Sequence, residues 1–267
     1  MSRKDYKDVL AKINMNKKGQ VAIFVIVAIV IVGIILILFL YPKSPLAIPS
    51  GDLNPNTYLK SCVEKDLQSN VETLAANAGY SDVNSSNAAT IMYKGENIKY
   101  LCYTNQFYQT CLVQQPLIKE HFENELSNIF SAKAAQCLQS LKTEFERRGY
   151  DVTLNGVNSS VSFNPGDILV SYSAPMTVKK AGNVRAYNGF DVSIGSNMYD
   201  LIMISTSIID FESTLGDSEI TSYMQYYPNL NIEKVKLSDG TKIYTVSDVV
   251  TKESFRFASR SLSWPPG

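Results

Sequence analysis

Residues 21–40 read VAIFVIVAIVIVGIILILFL, a run of twenty positions with no polar side chain. As a helix rising 1.5 Å per residue it is about 30 Å long, the thickness of a bilayer hydrocarbon core. Helices buried in soluble proteins keep at least one polar edge, so the run predicts a transmembrane helix over Val21–Leu40. Tyr41 suits the membrane interface, and Pro42, Pro45 and Pro49 stop any helix soon after.

The residues before this run set an orientation. Within 1–20, six basic residues (Arg3, Lys4, Lys7, Lys12, Lys17, Lys18) face two acidic ones (Asp5, Asp8), a net of +4. Lys17 and Lys18 abut the apolar run, and only Lys43 follows it closely. The positive-inside rule then puts the N-terminus in the cytoplasm and the C-terminal part outside. Tyr6, Val9, Leu10 and Ile13 keep helical spacing among lysines, as in an interfacial helix; an unfolded leader is the plainer reading. A secretory peptide removed downstream would need a shorter apolar core and a small-residue cut site, whereas Tyr-Pro-Lys-Ser-Pro follows here. The tail (1–20), the span (21–40), a Pro-rich linker (41–54) and an outer part (55–267) make up the expected domain plan, the last with candidate subdomains 55–149 and 150–267.

Lys17-Lys18-Gly19-Gln20 followed by VAIFVIVAIV resembles the archaeal class III signal of type IV pilin-like proteins. The resemblance implies processing between Gly19 and Gln20, with the apolar helix retained and free to enter a filament core. Two features depart from the pattern: Phe24 stands where many pilins carry Glu, and the prolines end the helix where a pilin stalk continues. The stretches YLCYTNQFYQTC and SDGTKIYTV also look like those of uncharacterised single-pass surface proteins of small-genome archaea, which implies a shared fold and no particular activity.

Across the 267 residues, 19% are charged and 45% apolar, enough apolar mass for a core. Net charge is zero, so the chain beyond residue 20 is mildly acidic and carries no basic cluster, which argues against nucleic-acid partners. All four cysteines, Cys62, Cys102, Cys111 and Cys137, lie in the outer part. An even count on the oxidising side reads as two disulfides. Three pairings exist; the preferred one staples two predicted helices through Cys62 and Cys137 and clips a loop through Cys102 and Cys111. No CxxC occurs and His121 is the only histidine, so no metal site is expected. Asn84-Ser85-Ser86 and Asn158-Ser159-Ser160 fit the N-glycosylation pattern.

Pro55 opens a predicted helix with apolar positions from Leu59 to Ala75, ending at Gly79. Strands Thr90–Tyr93 and Ile98–Tyr103 flank a Lys94-Gly95-Glu96-Asn97 turn. A second helix is expected from Pro116 to Arg148, broken near Phe130–Ser131. Residues 150–194 alternate as strands, with turns at Asn164-Pro165-Gly166-Asp167 and Tyr187-Asn188-Gly189. Asn197–Leu215 is apolar enough to be a central helix, with a short helix near Asp217–Tyr226. Ile232–Leu237 and Lys242–Val246 then form a hairpin. Helices and hairpins in blocks, without βαβ periodicity, give an α+β class: one transmembrane helix, then an extracytoplasmic domain with an antiparallel sheet and about three main helices.

Catalytic signatures are missing. Neither GxxxxGK[ST], GxGxxG nor GxSxG occurs. His121 with Glu125 four residues on reads as a solvated helical pair rather than half a metal site. Asp200, Asp210, Glu212 and Asp217 surround the third helix and could supply paired carboxylates, although structural roles are simpler. Tyrosines in 93–108 and 223–227 suit a binding surface, or simply cover a sheet face. The sequence therefore reads as a single-pass cell-surface protein without cofactors, its disulfide-stabilised outer domain serving a non-catalytic binding or structural role. Its partners would be the bilayer and other copies, surface proteins or glycans. A pilin-like filament or secretion subunit is the alternative, and a membrane-tethered hydrolase a further one.

Overall fold

The chain begins helix α1 (Pro55–Ala76) with a capping arrangement. Asn54 is extended, and its carboxamide oxygen accepts from the Asn56 and Thr57 N–H groups at 3.0 and 3.2 Å. Those amides have no partner inside the helix, and Pro55 in the first turn has none to lose. Leu59, Val63, Leu67, Val71, Leu74 and Ala75 form its buried stripe. The computed structural model describes residues 28–32, 53–82 and 89–263.

In chain order, the elements after α1 are β1 (Thr90–Tyr93), β2 (Glu96–Tyr103), β3 (Leu112–Val113) and helix α2 (Ile118–Arg147). Next come β4 (Asp151–Leu154), β5 (Asn158–Asn164), β6 (Asp167–Ser173), β7 (Met176–Lys180), β8 (Asn183–Tyr187) and β9 (Phe190–Gly195). Helices α3 (Met198–Leu215) and α4 (Thr221–Tyr226) precede β10 (Leu230–Lys236), β11 (Thr241–Asp248) and β12 (Ser254–Arg260).

The strands form three sheets. The largest runs β1-β2-β12-β11-β10, with β3 also on β2; the others run β4-β7-β8 and β5-β6-β9. Residues 53–267 make one compact unit. Helix α2 lies along β5 and α1, while α1 also packs on β9 and β12, and α3 on β11 and β12. Phe122 of α2 stands 4.7 Å from Phe163 of β5 and 6.1 Å from Phe255 of β12, ring centre to ring centre, so one aromatic cluster joins two sheets.

The β5-β6-β9 sheet shows the two-residue period plainly. Val161 and Phe163, Ile168, Val170 and Tyr172, and Phe190, Val192 and Ile194 are buried on one face. On the other, Asn158 and Ser160 stand opposite Ser173 and Ser171 of β6, and Ser171 opposite Asp191 of β9. The outer edge of β5 is closed by α2 side chains. Ser127 Oγ accepts from the Val161 N–H at 2.9 Å, and Glu123 Oε1 from the Phe163 N–H at 2.7 Å.

Several expectations are corrected. The chain is α+β, but among the described residues no helix is long and apolar enough to cross a membrane. Of Val21–Leu40 only residues 28–32 are described, and they are helical. An apolar run fixes a preference for an apolar environment, which is a weaker statement than a spanning helix. The basic tail, Gly19, Gln20, linker residues 41–52 and Asn84 lie outside the described residues. The sheet is not purely antiparallel either: β12 and β2, the last and second strands, pair in parallel. Helix α2 is unbroken at Phe130–Ser131, because Phe130 continues the buried series Phe122, Leu126, Phe130, Ala134.

Candidate functional site

The cysteines pair as Cys62–Cys137 and Cys102–Cys111. The first joins α1 to α2 across 75 residues of chain; the second closes a loop of nine. That loop carries Phe107 and Tyr108 at its exposed tip.

The densest polar chemistry lies beneath this loop. Glu212, on the inward stripe of α3 with Ser205, Ile208 and Ile209, is fully buried. Its Oε1 accepts from the Tyr244 hydroxyl at 2.6 Å, the Lys242 ammonium at 3.0 Å and the Ser218 N–H at 3.1 Å. Its Oε2 accepts from Lys242 at 2.7 Å and the Ser259 hydroxyl at 2.8 Å. Lys242 also donates to the Gly216 carbonyl and lies 3.3 Å from Asp217. Burial, then the charge of Glu212, push the Tyr244 phenol far above its ordinary range, so it remains a donor. Ser261 donates to the Glu212 carbonyl at 3.0 Å and accepts from the Cys111 N–H at 3.1 Å, tying the disulfide loop to this network. Every lone pair of the carboxylate is answered within the protein, which is the arrangement of a structural brace.

Asp217 sits at the rim of the same cluster. Burial raises its carboxyl, but hydrogen bonds from Lys234 and Lys236 and the charge of Lys242 outweigh that and hold it well below the usual carboxylate range. Asp200 and Asp210 are exposed on α3 and do not join Glu212. His121 packs against Tyr80, ring centres 4.2 Å apart. Glu125 instead accepts from the Ser81 N–H at 3.1 Å and from its hydroxyl. Burial first, and Lys99 in addition, lower the His121 pKa against the pull of Glu125. Among the described residues no group of three or more His, Cys, Asp or Glu could hold a metal.

A cleft of about 700 Å³ opens between α1 and the β11–β12 loop. Val71, Ile168 and Met198 give it a buried apolar floor, Gln68 and Glu72 one wall, and Thr251 and Lys252 the other. The loop is built rigidly. Asp248 Oδ1 accepts from the Val250 and Thr251 N–H groups at 2.7 and 2.8 Å. Glu253 accepts from the Ser196 hydroxyl at 2.5 Å and the Asn197 N–H at 2.7 Å. The Lys252 N–H donates to the Asp248 carbonyl at 3.0 Å, and Lys252 lies at φ 66°, as Ala78, Lys94, Tyr108 and Ala181 also lie at positive φ in their turns.

Of the residues singled out from sequence, the cysteines meet in their two pairs, Glu212 and Asp217 share one cluster, and Cys111 reaches that cluster through Ser261. Lys242, Tyr244, Ser259 and Ser261 were not foreseen, and no local signal marks them. Neither were the cleft residues, for which the Asp248-x-x-Thr251 turn would have been the only hint. Asn158 is exposed at the start of β5. The chain matches no protein-family model, no curated protein and no solved structure.

Proposed function

We propose that this chain is an extracytoplasmic, non-catalytic binding protein whose disulfide-stabilised domain grips a segment of another protein in the cleft between α1 and the β11–β12 loop. The observation that carries the reading is the lining of the cleft, in which exposed Glu72 of α1 and exposed Lys252 of the β11–β12 loop border the buried side chains of Val71, Ile168 and Met198. Glu72 and Lys252 present one charge of each sign, and Val71, Ile168 and Met198 offer apolar contact; a peptide carrying both charges and an apolar side chain complements that lining. The two disulfides support residence on the oxidising side of a membrane.

The test is selection of peptides from a displayed random library on the full-length chain, followed by titration of the winners. The expected result is a family sharing an apolar residue flanked by charge. Glu72→Lys combined with Lys252→Glu, which reverses the lining and leaves the core untouched, should weaken binding at least tenfold. Selected peptides that bind the charge-reversed chain equally well would sink the cleft as the site.

A further inference from the structure

We propose that Asn158 is the acceptor of an N-linked glycan, carried on the hydroxyl-lined outer face of the β5-β6-β9 sheet. The inference rests on the extracytoplasmic reading above, because the donor sugar is transferred on that side.

The acceptor pattern requires an Asn and, two residues on, a hydroxyl. Residues two apart in a strand point to the same face, so the local geometry already places Asn158 beside Ser160, and both are exposed. Ser159, between them, turns to the other face and is half-buried. Asn164 and Asn197 have their carboxamides engaged by Asp167 at 3.2 Å and by Asp248 at 2.9 Å.

Access is the second requirement. Asn158 follows an exposed turn, Asn155-Gly156-Val157, in which Gly156 lies at φ 65° with nothing near its missing side chain. The hydrogen bonds that tie β5 to α2 begin only at Val161, three residues further on. Asn158 to Ser160 pair with Ser173 to Ser171 of β6, so it is the exposed side chains of Asn158 and Ser160, at the start of the strand, that a transferase meets.

The neighbourhood also suits a sugar. Next to Asn158 is a groove of about 450 Å³ lined by Ser160, Ser171, Ser173, Asn188 and Asp191. Short hydroxyl, amide and carboxylate side chains leave room over the sheet and offer donors and acceptors to sugar hydroxyls.

In the reaction, the Asn158 amide nitrogen attacks the anomeric carbon of a polyprenyl-phosphate-linked saccharide. A nitrogen–carbon bond forms, the carbon–oxygen bond to the lipid phosphate breaks with its electron pair leaving on the phosphate, and the amide proton passes to a base of the transferase. No oxidant or reductant is involved.

The experiment expresses the full chain, with Asn84→Gln as background, in cells that carry out lipid-linked N-glycosylation. Peptide mass spectrometry reads the Asn158 peptide, and thiol alkylation before reduction reads the cysteines. The expected result is a saccharide mass on the Asn158 peptide, lost completely in Asn158→Gln and Ser160→Ala, and kept in Ser159→Ala and Ser160→Thr. Blocked thiols with an unmodified Asn158 would overturn the glycan and leave the extracytoplasmic reading standing. Free thiols with an unmodified Asn158 would overturn both. A modification that survives Ser160→Ala would overturn the acceptor assignment.

Discussion

The Tyr244 hydroxyl donates to Glu212 Oε1 at 2.6 Å, joining the centre of β11 to the last turns of α3. Both residues are fully buried, as is Ser259 on the neighbouring strand. Removing the carboxylate takes from the buried Lys242 ammonium its nearest anionic partner and leaves it the Gly216 carbonyl and Asp217 at 3.3 Å. Glu212→Ala is therefore expected to cost about 3–5 kcal/mol, and Glu212→Leu with Lys242→Met to recover most of it. Urea unfolding of the three chains measures both effects. A single variant as stable as its parent would refute the brace.

Acid should loosen the same corner. Asp217 is held below the ordinary carboxylate range in the folded protein, so its contribution is complete above about pH 4 and disappears as pH falls through the lower folded value. Asp217→Asn is expected to be less stable than the parent at pH 7, with the gap closing below pH 4. Because Asp217 is half exposed, the effect at neutral pH will be modest. Thermal unfolding at stepped pH reads the convergence.

His121 acts in a higher window. Burial against Tyr80 favours its neutral form, so the unfolded chain takes up a proton near pH 6.5 that the folded chain refuses. Stability should fall as pH drops from about 7 towards the lower folded value. His121→Phe, which keeps the ring contact, should flatten that part of the profile.

The two disulfides should differ in weight. Loop-closure entropy assigns about 4.5 kcal/mol to Cys62–Cys137, which spans 75 residues, and about 2.6 kcal/mol to Cys102–Cys111, which spans nine. Paired Cys→Ala variants in calorimetry give the comparison. The short loop should show a larger loss than its entropy if its contact with Ser261 steadies the Glu212 network.

Tyr172 is buried, and its hydroxyl has no hydrogen-bond partner among the described residues. Burial alone pushes its pKa upward. Tyr172→Phe removes an unsatisfied group without changing shape and should stabilise the chain by about 1 kcal/mol in denaturant titration.

Periodicity carried the element types. The apolar spacing from Leu59 to Ala75 and the alternation through Val161 and Phe163 are strong local signals, and the corresponding helix and strands are present. Phe130 shows where local reading erred: a suspected break was a continuing stripe. The parallel pairing of β2 with β12 joins residues about 158 apart, as in Ala258 with Tyr100, and nothing in either segment announces it. The polar cluster was hidden for the same reason. Glu212 lies three and four residues after Ile209 and Ile208, so its burial was legible, but Lys242, Tyr244 and Ser259 come 30, 32 and 47 residues later. Of the apolar run at 21–40, the loudest signal, only residues 28–32 are described.

The helix side chains along β5 also matter for how the molecule survives its own synthesis. A strand reading Val-Ser-Phe with bare edge amides is a template on which a second chain can polymerise. Here Ser127 and Glu123 occupy those amides, and both are translated before β5. The cap thus emerges from the ribosome ahead of the edge it covers, and the nascent chain need never expose that growth surface to its neighbours.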